Sequence, residues 1–434
     1  MRIDACFDSH VHWPATGEFV QRLQLDHLLS PQEILKLRPE KQHFRGEWLI
    51  GFGWDDNKWT IKPTRELLDR WFPNSPVGLS RCDGHALWCN TEALKRAGLM
   101  GGVAPADSKG GRIERDEKGV PTGLLVDKAC EIVENLIPQP SDFEVRRHLL
   151  EGAKLFNKAG YTHIRDMTCD ETQWNEAIKI DRTGLLTLAV EEFFWVKDPS
   201  GLDSVLTLLE KAKKEAPENL RVMGIKIFLD GALGSEGAWL SKCYCGKSHS
   251  GLCLWEEAAL RETLIKTWEK GFQVACHAIG DAAAAMIVGI AAGLNKEGVQ
   301  GILHIEHGEL IRGETIELMR GLPIEVHLQP SHWLSDQLWL KNKVGDLVEH
   351  AFPWRKLQEA EIAFDFGSDA PIEPTSIGRI FQALRQSAEA GIPRLLGLPT
   401  SYMGHRDLSW APNSFTLLEE EAAVQVVFRG EHLI

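Results

Sequence analysis

An α/β fold built on a TIM (β/α)8 barrel is predicted for this 434-residue chain by three observations. Eight short apolar or β-branched runs recur along it, segments of helical periodicity fit between them, and metal-type side chains stand at the ends of several runs. One barrel takes roughly 250 residues, so the length suggests one large domain with an insertion and an appendage.

The first run, Ile3 to His10, leads into Asp8-Ser9-His10-Val11-His12, and Trp13-Pro14 and Gly17 then break the pattern. Further strands are expected at Thr162–Arg165, Leu185–Glu191, Val222–Phe228, Gln273–His277, Gly301–Ile305, Ile324–Leu328 and Ile362–Phe366. Amphipathic spacing places helices at Phe143–Ala159, Leu202–Glu215, Glu256–Lys270 and Asp281–Asn295. The stretch from His12 to Phe143 is too long for a strand-to-helix loop and carries strand-like pieces of its own, Trp48–Phe52 and Val77–Ser80. It reads as an α+β subdomain, residues 40 to 140, inserted after the first strand over the barrel mouth. The barrel would occupy residues 1–390 and a tail residues 391–434, irregular at first and ending in a hairpin of Ser414–Leu418 and Ala423–Arg429.

Hydrophobic residues make up 43% of the chain and charged residues 25%, an ordinary globular composition. A net charge of −14 disfavours a nucleic-acid partner, whose phosphates need clustered Lys and Arg. No run is long and apolar enough for a membrane span, and the first residues lack the apolar core of a signal peptide. A cytoplasmic location is therefore expected, and nine cysteines without repeated C-x-x-C spacing agree with a reducing compartment. Cys243, Cys245 and Cys253 read as loop or packing residues. The expected partner is a small-molecule substrate, with no nucleic acid and no membrane, and the expected assembly is a homodimer.

In a strand, alternate side chains share a face, so His10 and His12 present two imidazoles to one ion. A metal site at a barrel mouth must then collect ligands from other strand ends. His277 ends the fifth strand, with Asp281 opening the next helix. His304 and His307 on the sixth are three apart and point to opposite faces, which selects His307, nearer the end, for the centre. The eighth strand runs into Gly367-Ser368-Asp369, where a carboxylate base could meet an activated water. Lys226 stands among Ile and Phe on the fourth strand; burial would lower its pKa and let the neutral amine take up carbon dioxide, giving an anionic ligand able to bridge two ions. Each residue has a structural alternative: a hydrogen-bonded core histidine, an Asp369 N-cap before Pro371, a Lys226 ion pair. Independent structural roles would not place such residues at five strand ends together.

With these residues in view, the chain resembles the amidohydrolase superfamily, and within it the YtcJ-like branch (amidohydrolase family 3) that includes N-substituted formamide deformylase. Besides Asp8-Ser-His10-Val-His12, Lys226, His277, Ile305-Glu-His307 and Gly367-Ser-Asp369, the resemblance rests on branch-level motifs. They are Gly51-Phe-Gly-Trp54-Asp55, Arg81-Cys-Asp83-Gly-His85-Ala-Leu-Trp88-Cys-Asn90, Gly111-Arg-Ile-Glu-Arg-Asp116 with Pro121-Thr-Gly123, Lys226 to Ser235, His277-Ala-Ile-Gly-Asp281 and Gln329-Pro-Ser-His332. The resemblance implies His10 and His12 on one divalent ion, His277 and His307 on a second, Lys226 as a carboxylated bridge, and Asp369 as ligand and base. Zinc is the first choice for both ions. It also places Trp54, Asp83, His85, Trp88, Asn90 and His332 around the substrate, although His85 is equally a candidate structural residue. Relatives carry a strand-rich segment before the barrel, whereas seven residues precede Asp8 here, so a reduced β-sandwich appendage is expected.

The implied function is metal-dependent hydrolysis of a non-peptide carbon–nitrogen bond in a small amide, N-formyl or N-acyl compound. A mononuclear deaminase and a non-catalytic small-molecule-binding barrel are the alternatives. Fifteen tryptophans, several in the insertion, suit either an apolar substrate group or the subdomain's own core.

Overall fold

The structure, a computed structural model, describes residues 1–100, 110–392, 411–419 and 422–433. Eight parallel strands follow one another in chain order through one sheet: Phe7–Val11, His163–Cys169, Ala189–Trp195, Leu220–Phe228, Gln273–Ala278, Leu303–His307, Ile324–Leu328 and Ala363–Phe366. The sheet closes on itself where Val11 bridges Ala370. There Asp369 N donates to His10 O at 2.8 Å and His12 N to Ala370 O at 2.8 Å. Helices Asp142–Ala159, Glu171–Arg182, Leu202–Glu215, Glu257–Glu269, Asp281–Lys296, Gly313–Met319, Trp354–Glu359 and Ile377–Glu389 wrap it, which makes the domain a (β/α)8 barrel.

Local chemistry sets the boundaries. Ser141 and Glu144 form a reciprocal capping box that starts the helix Asp142–Ala159, and Gly160, at φ 108°, ends it in the left-handed region. The same helix buries Val145, Leu149, Ala153 and Phe156. Its neighbour Trp13–Phe19 lies so close that a β-carbon on Gly17 would collide with the carbonyl of His148. Among the described residues no helix is long and apolar enough to cross a membrane.

Strand alternation divides the core. Ile164, Val190, Phe194, Ile225, Ile227, Val274, Ile305 and Val326 belong to the large apolar cluster that the helices cover. Residues of the opposite parity, Met167, Phe193 and Ala275, form a small separate cluster in the lumen, with Arg165 over the Phe193 ring at 4.3 Å. The lumen is thus partly polar, and its polar side chains lead toward the C-terminal mouth.

The first expected strand is two. Ala5, at φ 48°, breaks it; Arg2–Asp4 pairs antiparallel with Phe415–Glu419, and only Phe7–Val11 enters the barrel. The third barrel strand starts at Ala189, not Leu185. Leu185 N bonds Ile180 O at 3.1 Å, so it still finishes the preceding helix past Gly184. Between the first strand and the helix Asp142–Ala159, a seven-stranded mixed sheet runs from Leu23–Gln24 to Pro121–Asp127 with a separate apolar cluster of its own on each face. The β appendage is a single four-stranded antiparallel sheet of Arg2–Asp4, Phe415–Glu419, Ala422–Phe428 and Glu431–His432. Most of the irregular segment expected before it, 393–410, lies outside the described residues.

Candidate metal centre

The first and eighth strands build one half of the site. His10 and His12 share a face with ring centroids 5.4 Å apart, and His12 Nδ1 lies 3.2 Å from Thr168 Oγ1. Asp369 stands opposite: its Oδ1 is 3.3 Å from His10 Nε2 and 3.2 Å from His12 Nε2. Close approach of the two strands requires Gly367, where a β-carbon would sit 2.6 Å from His10 N. Behind it, the buried Asp8 accepts from Ser368 N at 2.8 Å and fixes the turn; burial pushes the Asp8 carboxyl up to about 7.

The fifth, sixth and seventh strands build the other half. His307 takes φ 74°, which leaves strand alternation and swings its ring against His277 at 4.5 Å and His10 at 4.7 Å. This corrects the expectation that only one histidine of the sixth strand could face inward. His304 also faces the lumen, with Nδ1 3.0 Å from His327 Nε2 and Nε2 2.8 Å from Gln273 Oε1. His332 stacks on His307 at 5.7 Å and 13°. It reaches Glu309 Oε1 through Nδ1 at 2.8 Å and Asp369 Oδ2 through Nε2 at 3.3 Å. His277 Nε2 lies 3.3 Å from Gly231 O and 3.7 Å from Asp230 Oδ1. Asp230 is held by the N–H groups of Trp239, Ile279 and Gly280, at 2.8, 3.0 and 2.8 Å.

Charge in this site follows from burial and neighbours. Burial opposes ionisation of Asp369, but His10, His12 and His332 outweigh it and hold the carboxyl well below the usual range. Burial likewise opposes charge on His332, yet Asp369 and Glu309 raise it well above an ordinary histidine. Burial keeps His277 and His307 well below that value, hence neutral as ligands must be. Lys226 is fully buried with Nζ 4.7 Å over the Phe228 ring. Burial brings its pKa down to about 8, against the pull of Glu306 and Asp369.

The donor chemistry fits a divalent metal. His10 Nε2, His277 Nδ1, His307 Nδ1 and Asp369 Oδ1 are among the buried polar atoms left without a well-formed hydrogen bond, a costly condition that a cation would relieve. Among the described residues three donor sets have ligand atoms within 4.8 Å: His10 with His12 and Asp369, and His307 with His332 and Asp369, both at the mouth, and His304 with Glu325 and His327 deeper in the lumen. Asp369 belongs to both sets at the mouth. His277 joins the second set only through its ring contact with His307.

Other expected substrate contacts are divided. His85 reaches the centre, its ring 5.1 Å from His277 and its Nδ1 2.8 Å from Asp127 Oδ1. Asp83 pairs with Arg81 at 2.6 Å and accepts from His85 N at 3.0 Å. Trp54, Trp88 and Asn90 require correction, since all three are buried inside the insertion. Trp54 donates to Leu79 O and Trp88 to Thr64 O, while Asn90 caps the helix Thr91–Arg96 and ties down Phe72 and Ser75. Residue spacing alone does not single out Glu306, Arg165, Glu309, Asp127 and Asp230, which the fold brings behind the histidines of the site. Glu306 carried one signal: a carboxylate between Ile305 and His307, on the face of the strand that points into the lumen.

A family model described as "Amidohydrolase family" matches residues 5–401. The chain is 31% identical over 393 residues to the putative amidohydrolase YtcJ of Bacillus subtilis (strain 168), covering 88% of this chain and 73% of that one. It is 24% identical over 369 residues to N-substituted formamide deformylase of Arthrobacter pascens, covering 80% and 66%. An uncharacterized metal-dependent hydrolase from Pyrococcus horikoshii OT3 shares the fold, with TM-score 0.67 and 24% identity over 90% of this chain and 76% of that one.

Proposed function

Because the chain belongs to the amidohydrolase family, and is as such a metal-dependent hydrolase of carbon–nitrogen bonds, we propose that it cleaves a small N-formyl or N-acyl compound at the centre around Asp369. The observation that carries this reading is the position of Asp369, whose two oxygens face two separate donor sets. His10, His12, His277, His307, Asp369 and a carboxylated Lys226 would hold two divalent ions, zinc first among them. When bound, such ions make a water acidic near neutral pH and polarise a carbonyl.

The remaining work falls to the chain. Asp369 takes the proton of the attacking water and returns it to the leaving nitrogen, so that amide and water become acid and amine. His332, fixed by Glu309, steadies that carboxylate through Nε2. His85, fixed by Asp127, stands beside His277 and Phe228, where it would border the bound substrate.

The test is metal analysis joined to a panel of N-formyl and N-acyl amines. Turnover of panel members with two metal ions per chain is expected, and Asp369→Asn should lower kcat by about 10³-fold with much of the metal retained. A wild-type rate in the Asp369→Asn variant would remove the proposed base. One ion per chain would favour a mononuclear deaminase, and a loaded chain inert to the whole panel would favour a binding barrel.

A further inference from the structure

His10 is gripped from behind. Its Nδ1 lies 2.6 Å from Glu306 Oε2, while its Nε2 faces Asp369 across the centre. The second oxygen of Glu306 accepts from Arg165 Nη1 at 2.8 Å, and Arg165 Nη1 also donates to Ser9 O at 3.1 Å, next to His10 in the chain. The side chains of His10 and Glu306 are fully buried and that of Arg165 nearly so. Nothing in the proposed reaction uses Glu306 or Arg165.

A carboxylate paired with a guanidinium can only accept hydrogen bonds. Facing His10 at 2.6 Å, it places the imidazole proton on Nδ1 and leaves the lone pair on Nε2, aimed at the centre. From this geometry we infer that Glu306 is the positioning residue for His10, selecting its Nδ1–H tautomer, and that Arg165 determines which atom of the side chain at position 306 turns toward His10. The inference rests on the proposed role of His10 as a metal ligand; hydrogen bonds behind ligands commonly fix tautomer and orientation.

The arrangement makes the isosteric Glu306→Gln variant informative. Arg165 offers only donors, so the introduced amide must turn its carbonyl to Arg165 and its NH2 group to His10 Nδ1. His10 would then accept at Nδ1 and carry its proton on Nε2, the wrong end for a ligand. Replacing Arg165 with Met frees the amide to flip, so the double variant Arg165→Met/Glu306→Gln should recover the lost function. It also avoids leaving Glu306 as an unpaired buried charge, which Arg165→Met alone would do.

Zinc affinity is measured by competition with a chromogenic chelator, and the imidazole 15N shifts of metal-free, histidine-labelled protein report the tautomer, with His10 assigned through His10→Gln. Glu306→Gln should bind zinc about 10- to 100-fold more weakly, with the His10 tautomer reversed and the thermal midpoint lowered, because Arg165 loses its buried counter-charge. The double variant should bind more tightly than Glu306→Gln and restore the Nδ1–H tautomer. Wild-type affinity and tautomer in Glu306→Gln would overturn the inference, as would a double variant no better than the single one. Should Glu306→Gln fail to fold, Glu306→Asp supplies the comparison: a carboxylate one carbon shorter keeps the tautomer in the metal-free shifts if the inference holds, and a reversed tautomer there overturns it. A wild-type chain that binds no divalent ion would instead overturn the metal-centre reading itself.

Discussion

Lys226 shows how much one side chain's surroundings say about its chemistry. An amine with no hydrogen-bond partner, buried and lowered to about 8, has a far larger neutral fraction near neutral pH than an ordinary lysine, which is the form that takes up carbon dioxide. Lys226→Ala should therefore lower metal content and turnover together, by about 10-fold or more in affinity, as measured by metal analysis beside steady-state rates. Full metal loading with unchanged turnover would remove the bridging role. The residues at strand ends were legible because a two-residue period and a barrel mouth leave few places for a ligand to stand. His304 was misjudged because the left-handed backbone of His307 breaks that period, and a single backbone angle leaves no trace in residue spacing. Trp54, Trp88 and Asn90 were misplaced for another reason: adjacency in a motif does not say which face of a sheet turns toward its own core.

At the level of elements, the helix Asp142–Ala159 links stability to pH. Its His148 is buried, and burial first, then Arg45 and Arg147, bring its pKa from 6.5 to about 4, with Glu144 pulling weakly the other way. Between those values the unfolded chain binds a proton that the folded chain refuses, so this contribution is complete above about pH 6.5 and is lost as pH falls toward 4. The loss is on the order of 1 to 3 kcal/mol, and urea midpoints across this range should fall less steeply in His148→Gln than in the wild type. Strand boundaries were less legible than strand existence. The break at Ala5 depends on Ala5 N meeting Ser414 O at 2.9 Å, a partner some four hundred residues away, and the late start of the third strand depends on how the preceding helix finishes. Such long-range decisions override local propensity.

On the scale of the whole molecule, the insertion and barrel share one site. Arg81, almost fully buried, pairs with Asp55, Asp56 and Asp83, and this network stands beside the turn that delivers His85 to the metal ligand candidates. His85→Ala should lower kcat/KM while leaving metal content unchanged; loss of metal instead would assign His85 to the ligand shell. The barrel architecture was legible from eight alternating runs, and the inserted sheet only as an excess of length, because its short strands pair by contacts that periodicity cannot specify. The barrel seam has a further consequence. Among the described residues, the Val11–Ala370 bridge, its neighbouring backbone bonds and the bond from Ser368 N to Asp8 join the first strand to the end of the last, and His10, His12 and Asp369 sit directly on that join. A cation shared across it would act as a clasp on the thinnest part of the hoop. Chelation should then speed unfolding and leave the refolding rate nearly unchanged, and the chain's lifetime in denaturant would serve as a gauge of whether the clasp is shut.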